Sequence, residues 1–245
     1  MKCEVTIPYL DPNILHFPNV KSALKEPNGL LAAGAALSND WLVEAYSRGI
    51  FPWYDDSQPI LWWSPDPRLI LIPEHFHGSK SLRKLVKKRL YKVTFNQNFT
   101  DVLGKCKTSN RKYEGTWITN EMAGAYTRLH RFGLAHSVEV WSSGSLVGGL
   151  YGIALGKVFF GESMFSNVDN ASKIALFYLV LHLKEWGFEL IDCQVRSEHL
   201  LSLGAIEIPR SVFLDKLNAL VGHGEKLGEW RVKEALIEKE FEYNG

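Results

Sequence analysis

The chain has 245 residues, 46% of them hydrophobic and 22% charged, with 28 basic side chains against 27 acidic ones. That composition can bury a sizeable core in one large domain or two small ones, and it excludes a disordered or fibrous chain. The near-neutral balance also excludes a protein that coats nucleic acid through a global positive field, so any polyanion has to be gripped locally.

Residues 1–75 are rich in turns and tryptophan. Glu26-Pro27-Asn28-Gly29 reads as a turn, and Ser38 is positioned to cap a helix carrying Trp41, Leu42, Ala45 and Tyr46, closed by Gly49 and stopped by Pro52. The prolines and tryptophans that follow leave room only for short elements. Their rings form either a small aromatic satellite core or a surface on which a base or adenosine stacks.

A basic helix is expected near residues 79–90, with Ser79 or Ser81 as its cap. Leu82, Leu85 and Val86 share one face, and Lys80, Lys84, Lys87 and Lys88 share the other. Residues 80–92 carry seven cations and no acid, which leaves the other 21 basic residues facing 27 acids. Such a face is either solvated or binds phosphate. A second helix starts at the cap Thr119 and ends at Phe132 and Gly133.

The period then changes to two. Residues 136–141, 146–154 and 158–165 read as three strands of an antiparallel meander, and Gly148, Gly149 and Gly152 in the middle one suggest a bulge or the close approach of a ligand. A third helix, capped by Asp169 or Asn170 and apolar nearly all round from 174 to 183, leads through Gly187 into a strand at 188–195 and a short helix to Gly204. That succession predicts a βαβ crossover against the meander. The tail from Gly222 alternates acids and bases and reads as a solvated helix or a frayed end.

Within the last strand, strict alternation projects Asp192 and Gln194 to one face and Ile191, Cys193 and Val195 to the other. Two polar side chains on an otherwise apolar strand need a satisfied core network or a cleft. Glu162, set among aromatic and small residues, calls for a buried cation or a cationic ligand. Cys193 has no histidine beside it to make it a nucleophile. No metal-ligand spacing, P-loop or dinucleotide loop is present, and no cofactor is expected. The three cysteines, Cys3, Cys106 and Cys193, form no disulfide framework. The first residues lack a signal-peptide core, and the longest apolar run falls short of the roughly 20 residues of a span. A cytoplasmic protein without membrane contact is expected.

Taken in order, Glu26-Pro-Asn-Gly-Leu-Leu-Ala32, Arg48-Gly-Ile-Phe-Pro-Trp53, Ile60-Leu-Trp-Trp-Ser-Pro-Asp-Pro-Arg68, Glu114-Gly-Thr-Trp-Ile-Thr119, Gly161-Glu-Ser-Met-Phe-Ser166, Ile191-Asp-Cys-Gln-Val195 and Ser202-Leu-Gly-Ala205 resemble the leucyl/phenylalanyl-tRNA protein transferase family. The resemblance runs from about residue 26 to about 210. It implies an α+β chain with a small N-terminal domain (1–66) and a C-terminal acetyltransferase-like (GNAT) domain (67–245) built on a mixed, mainly antiparallel sheet. The implied activity moves Leu or Phe, and less readily Met, from aminoacyl-tRNA to proteins beginning with Arg or Lys, marking them for N-end rule degradation. Further implications are a catalytic pair, Asp192 and Gln194, in which Asp192 orients and polarises the Gln194 amide, and acceptor binding by Glu162. Leu150, Phe159, Met164, Leu176, Leu179 and Ile191 would line the aminoacyl pocket, with adenosine stacked by Tyr46, Trp53 and Trp117. Phosphate contacts fall to Lys80, Arg83, Lys84, Lys87 and Lys88, and the protein is expected to act as a monomer.

Where the family usually has Gly-Gly-Asp-Leu-Ser, this chain has Gly34-Ala35-Ala36-Leu37-Ser38, which puts the first cap in question. An acetyltransferase-like enzyme using another acyl donor and a non-catalytic tRNA-binding module are the competing expectations.

Overall fold

The computed structural model describes residues 6–109, 118–222 and 230–242. The N-terminal part forms β1 (Tyr9–Leu10), β2 (Leu30–Gly34), α1 (Asn39–Ser47), β3 (Phe51–Pro52) and β4 (Leu61–Trp63), paired as a small sheet in the order β1-β2-β4-β3. Ser38 does cap α1, accepting a bond from the Trp41 amide at 3.4 Å. The cap therefore survives the departure at residues 35–36. Ala35 sits at φ 66°, a left-handed conformation that glycine adopts freely and alanine does not. The aromatic residues of this part pack on one another: Phe17 meets Trp41 and Trp62 edge-on at 5.0 and 4.9 Å, and the Trp62 indole donates to Gly34 O. They are no satellite, for they are continuous with the apolar layer under the main sheet.

The rest of the chain runs β5 (Arg68–Leu71), α2 (Lys80–Lys87), β6 (Lys92–Phe95), α3 (Phe99–Ser109), α4 (Asn120–Arg131), β7 (Ala135–Ser142), β8 (Ser145–Leu155), β9 (Val158–Ser166), α5 (Ala171–Glu185), β10 (Leu190–Gln194), α6 (Glu198–Leu201), β11 (Ile206–Ile208), α7 (Arg210–Val221) and α8 (Glu234–Glu242). Seven strands make a sheet in the order β11-β5-β10-β9-β8-β7-β6. β9 and β10, joined by α5, are parallel, and every other neighbouring pair is antiparallel. The class is the α+β one expected, with a mixed and mainly antiparallel sheet.

Period-two alternation sorts the strand side chains into two cores. Ile70, Tyr151, Phe160 and Leu190 face α1, α3, α4 and α7, whereas Leu71, Leu150, Phe159 and Ile191 face α2, α5 and α8.

Several local expectations change. The basic helix stops at Lys87 because Arg89 turns left-handed (φ 50°) and sends the chain into β6. Ser79 caps it. Asn170, at φ 66°, gives α5 no side-chain cap; the Ser172 amide bonds Ser166 Oγ instead. The strand glycines do mark a bulge, for the β8–β9 register shifts between Tyr151 and Gly152, but what approaches them is neighbouring protein: a Cβ at Gly149 would lie 2.6 Å from Val138 O and one at Gly152 2.6 Å from the Phe159 ring. The tail is docked: Trp230 and Ile237 are buried in the α5 core, and Trp230 stacks on His136 at 3.7 Å.

Candidate active site between β9 and β10

β9 and β10 pair from Leu190–Val158 to Asp192–Phe160 and then part. Beyond that point the strand edges face a cavity of about 270 Å³ rather than each other. Leu150 of β8, Phe159 and Met164 of β9, Leu176 and Leu179 of α5 and Ile191 of β10 all lie on its wall. Glu162 and Gln194 line the same space and give it a polar edge.

The geometry at β10 departs from strict alternation. Gln194 has φ 66°, and the β10–β5 register shifts between Asp192 and Gln194, so a bulge re-aims the second side chain. Asp192 points away from the cavity, where Arg68 of β5 grips it with Nε on Oδ1 at 2.8 Å and Nη2 on Oδ2 at 2.7 Å, both side chains fully buried. The Arg68 guanidinium lies between the rings of Phe51 and Phe213, 4.9 and 4.7 Å from their centroids.

The expectation that Asp192 polarises the Gln194 amide is therefore corrected. Asp192 Oδ1 accepts a 3.0 Å bond from the Gln194 main-chain N–H, and the amide Nε2 instead donates to Glu162 Oε1 at 2.9 Å. Cys193, expected on the face away from the cavity's polar edge, lines the cavity too, and burial pushes its thiol well up, which keeps it protonated.

Glu162 collects further partners. Tyr46 Oη of α1 lies 2.8 Å from Oε1 and Tyr126 Oη of α4 lies 2.7 Å from Oε2. Burial is the main cause that pushes the carboxyl up to about 7, and the Asp192 charge pushes the same way. No buried cation pairs with it among the described contacts.

The expected stacking residues separate. Tyr46 is 1% exposed, with its hydroxyl committed to Glu162 and Tyr126 and its ring edge-on to Phe160, so it offers no face to adenosine. Trp53 is 44% exposed, tilted against Trp63 at 5.7 Å. Trp117 lies outside the described residues. Lys80, Lys84 and Lys87 of α2 and Lys88 just after it are exposed, but Arg83 is taken by Glu240 of α8 at 2.6 Å and lies over Phe241.

Arg68, Tyr126, Tyr151 and His199 escape a sequence reading. Tyr151 Oη and His199 Nε2, both on residues lining the cavity, have no hydrogen-bond partner among the described residues. No cluster of candidate metal ligands occurs among the described residues, and no helix there is long and apolar enough to cross a membrane.

Comparison with known proteins adds a family. Residues 70–218 match the leucyl/phenylalanyl-tRNA protein transferase family and residues 35–66 its N-terminal domain. The leucyl/phenylalanyl-tRNA protein transferase of Nitrosospira multiformis is 55% identical over 224 residues, 91% of this chain and 96% of that one. The enzyme of the same name from Cellvibrio japonicus is 56% identical over 207 residues, 84% of this chain and 88% of that one. Among solved structures, FemX is similar over 70% of this chain and 66% of its own, with a TM-score of 0.47 and 10% identity.

Proposed function

The chain belongs to the leucyl/phenylalanyl-tRNA protein transferase family, and on that footing we propose that it transfers Leu or Phe, and less readily Met, from aminoacyl-tRNA to proteins beginning with Arg or Lys. The observation that carries this reading is the cavity of about 270 Å³, walled by apolar side chains and edged by Gln194 and Glu162. Such a wall favours Leu and Phe over smaller side chains by about 1 to 3 kcal/mol per missing methylene.

The reaction is aminolysis of an ester. The attacking α-amine has a pKa of about 8 in water and must be neutral to react. With Nε2 committed to Glu162, the Gln194 carbonyl oxygen is the end of the amide left to accept a bond from that amine. An amide is too weak a base to remove the proton, so Gln194 orients the nucleophile. Asp192 and Arg68 position Gln194 through its main chain. Glu162 sets the acceptor side of the site. Trp53 and Trp117 take the terminal adenosine, and Lys80, Lys84, Lys87 and Lys88 contact tRNA phosphates, which position the tRNA without reading its sequence. In a bacterial cytoplasm the products would be substrates for N-end rule degradation, and the chain would act as a monomer.

The test is direct. Labelled Leu-tRNA or Phe-tRNA is incubated with the protein and a peptide beginning with Arg, and label is expected in the peptide. Transfer from acyl-CoA in place of tRNA would point to a different acyltransferase. Binding of tRNA with intact donor and no transfer would overturn the enzyme reading.

A further inference from the structure

Three oxygens at the polar edge of the cavity close a triangle. Tyr46 Oη lies 2.8 Å from Tyr126 Oη and 2.8 Å from Glu162 Oε1, and Tyr126 Oη lies 2.7 Å from Glu162 Oε2. Each contact is a hydrogen bond, and each needs one hydrogen. The two phenols supply one apiece. Both are 1% exposed, so the third hydrogen belongs on the carboxyl. Glu162 Oε2 then donates to Tyr126, Tyr126 to Tyr46, and Tyr46 back to Oε1, all in one sense around the ring. An ionised Glu162 can receive both phenols only if they abandon their bond to each other, which leaves two buried lone pairs facing at 2.8 Å.

We propose that this ring stores a proton for the transfer reaction, with Glu162 giving it to the departing ribose oxygen and taking one back from the nitrogen of the new peptide bond. The proposal rests on the activity assigned above. As the bond from acceptor nitrogen to carbonyl carbon forms and the bond from carbonyl carbon to ribose oxygen breaks, the oxygen leaves with the Glu162 proton. The nitrogen, holding one hydrogen too many, returns a proton to the carboxylate. The ring is restored with no net proton and no co-reactant. A ribose hydroxyl is too weak an acid to leave readily as a bare alkoxide, and a positioned proton donor contributes about 10²–10⁴-fold in such a step.

Glu162 is the catalytic residue here. Tyr46 and Tyr126 are positioning residues that set which protonation state the carboxyl rests in. The titratable and charged groups facing Glu162 are Tyr46 from α1, Tyr126 from α4, Tyr151 from β8, and Asp192 of β10 with its partner Arg68 of β5; Cys106 of α3 couples to Tyr151 behind them. Burial pushes the carboxyl up to about 7, which suits a group that both gives and takes a proton near neutrality.

The experiment follows single-turnover transfer of labelled Leu from Leu-tRNA to a peptide beginning with Arg, across pH and peptide concentration. In the unaltered protein, the rate at saturating peptide, normalised to the fraction of acceptor amine that is neutral, is expected to fall as pH rises through about 7, where Glu162 ionises. Glu162→Gln should lower the maximal rate roughly 100-fold and abolish that falling limb. Tyr126→Phe and, independently, Tyr46→Phe open the triangle, so the limb moves to lower pH, because ionisation no longer forfeits a bond. A phenol that merely stabilised the carboxylate would move the limb to higher pH when removed. An upward move in both variants, a limb that persists in Glu162→Gln, or a loss confined to peptide saturation overturns the ring. Absence of transfer by the unaltered protein overturns the assigned activity instead.

Discussion

Arg68 carries its charge at zero exposure, and the surrounding residues compensate it with a bidentate carboxylate and two aromatic faces. Removing one partner of such a pair leaves the other charge buried alone, at a cost of about 3–5 kcal/mol. Arg68→Leu is therefore expected to lower the unfolding free energy in denaturant by about that amount. The double change Arg68→Met with Asp192→Leu removes both charges at once and should regain most of the loss. It should not regain transfer activity, because the Gln194 N–H loses the Asp192 acceptor that holds residue 194 in its left-handed conformation. Stability recovered together with activity would show that the pair is structural and that Gln194 needs no such support. Neither Arg68 nor the bulge is legible in the chain. Arg68 follows a Pro-Asp-Pro turn, and its partner lies 124 residues away. A bulge is a backbone event that a side-chain period does not record.

The basic helix α2 and the tail helix α8 illustrate how an element's role depends on what covers it. The charge pattern identifies a cationic face, yet α8 takes two of its cations: Arg83 pairs with Glu240, and Arg89 with Glu234 and Glu238. The exposed Lys80, Lys84, Lys87 and Lys88 are left to meet a polyanion. Replacing Lys84 and Lys87 by Ala should weaken tRNA binding and reduce the slope of log affinity against log salt by roughly 1 to 2, because each phosphate contact releases about 0.7 to 0.9 counterions. A titration series at several salt concentrations measures it, and an unchanged slope removes this face from the interface. Elements written within a few residues were legible: the caps Ser38, Ser79 and Thr119 and the β7–β9 meander stand where the pattern puts them. The docking of α8 was not, since an alternating run of acids and bases looks the same in solvent as against a basic helix about 150 residues earlier. The pocket residues were legible by resemblance, whereas their apolar character alone reads equally well as core.

At the scale of the molecule, buried titratable groups oppose one another. Burial holds His136 down at about 3 and lowers His182 and His199, while burial raises Glu139 and brings Glu162 up to about 7. A depressed histidine contributes stability above its unfolded value of about 6.5 that is lost as pH falls. A raised carboxyl does the reverse: its contribution is complete below the unfolded value of about 4.5 and is lost as pH rises through the folded one. Between those two values the slopes oppose, and the stability of the whole chain is flatter than either set alone would make it. Glu162→Gln removes one of the opposing terms and cannot titrate. Relative to the unaltered protein, the variant should therefore gain stability steadily as pH rises from about 4.5 to about 7, whatever fixed penalty the substitution carries. Denaturant midpoints of the two proteins, compared at matched pH across that window, measure the difference. A constant difference would mean that Glu162 titrates alike in the folded and unfolded chain, and that neither its burial nor its ring of phenols biases its proton.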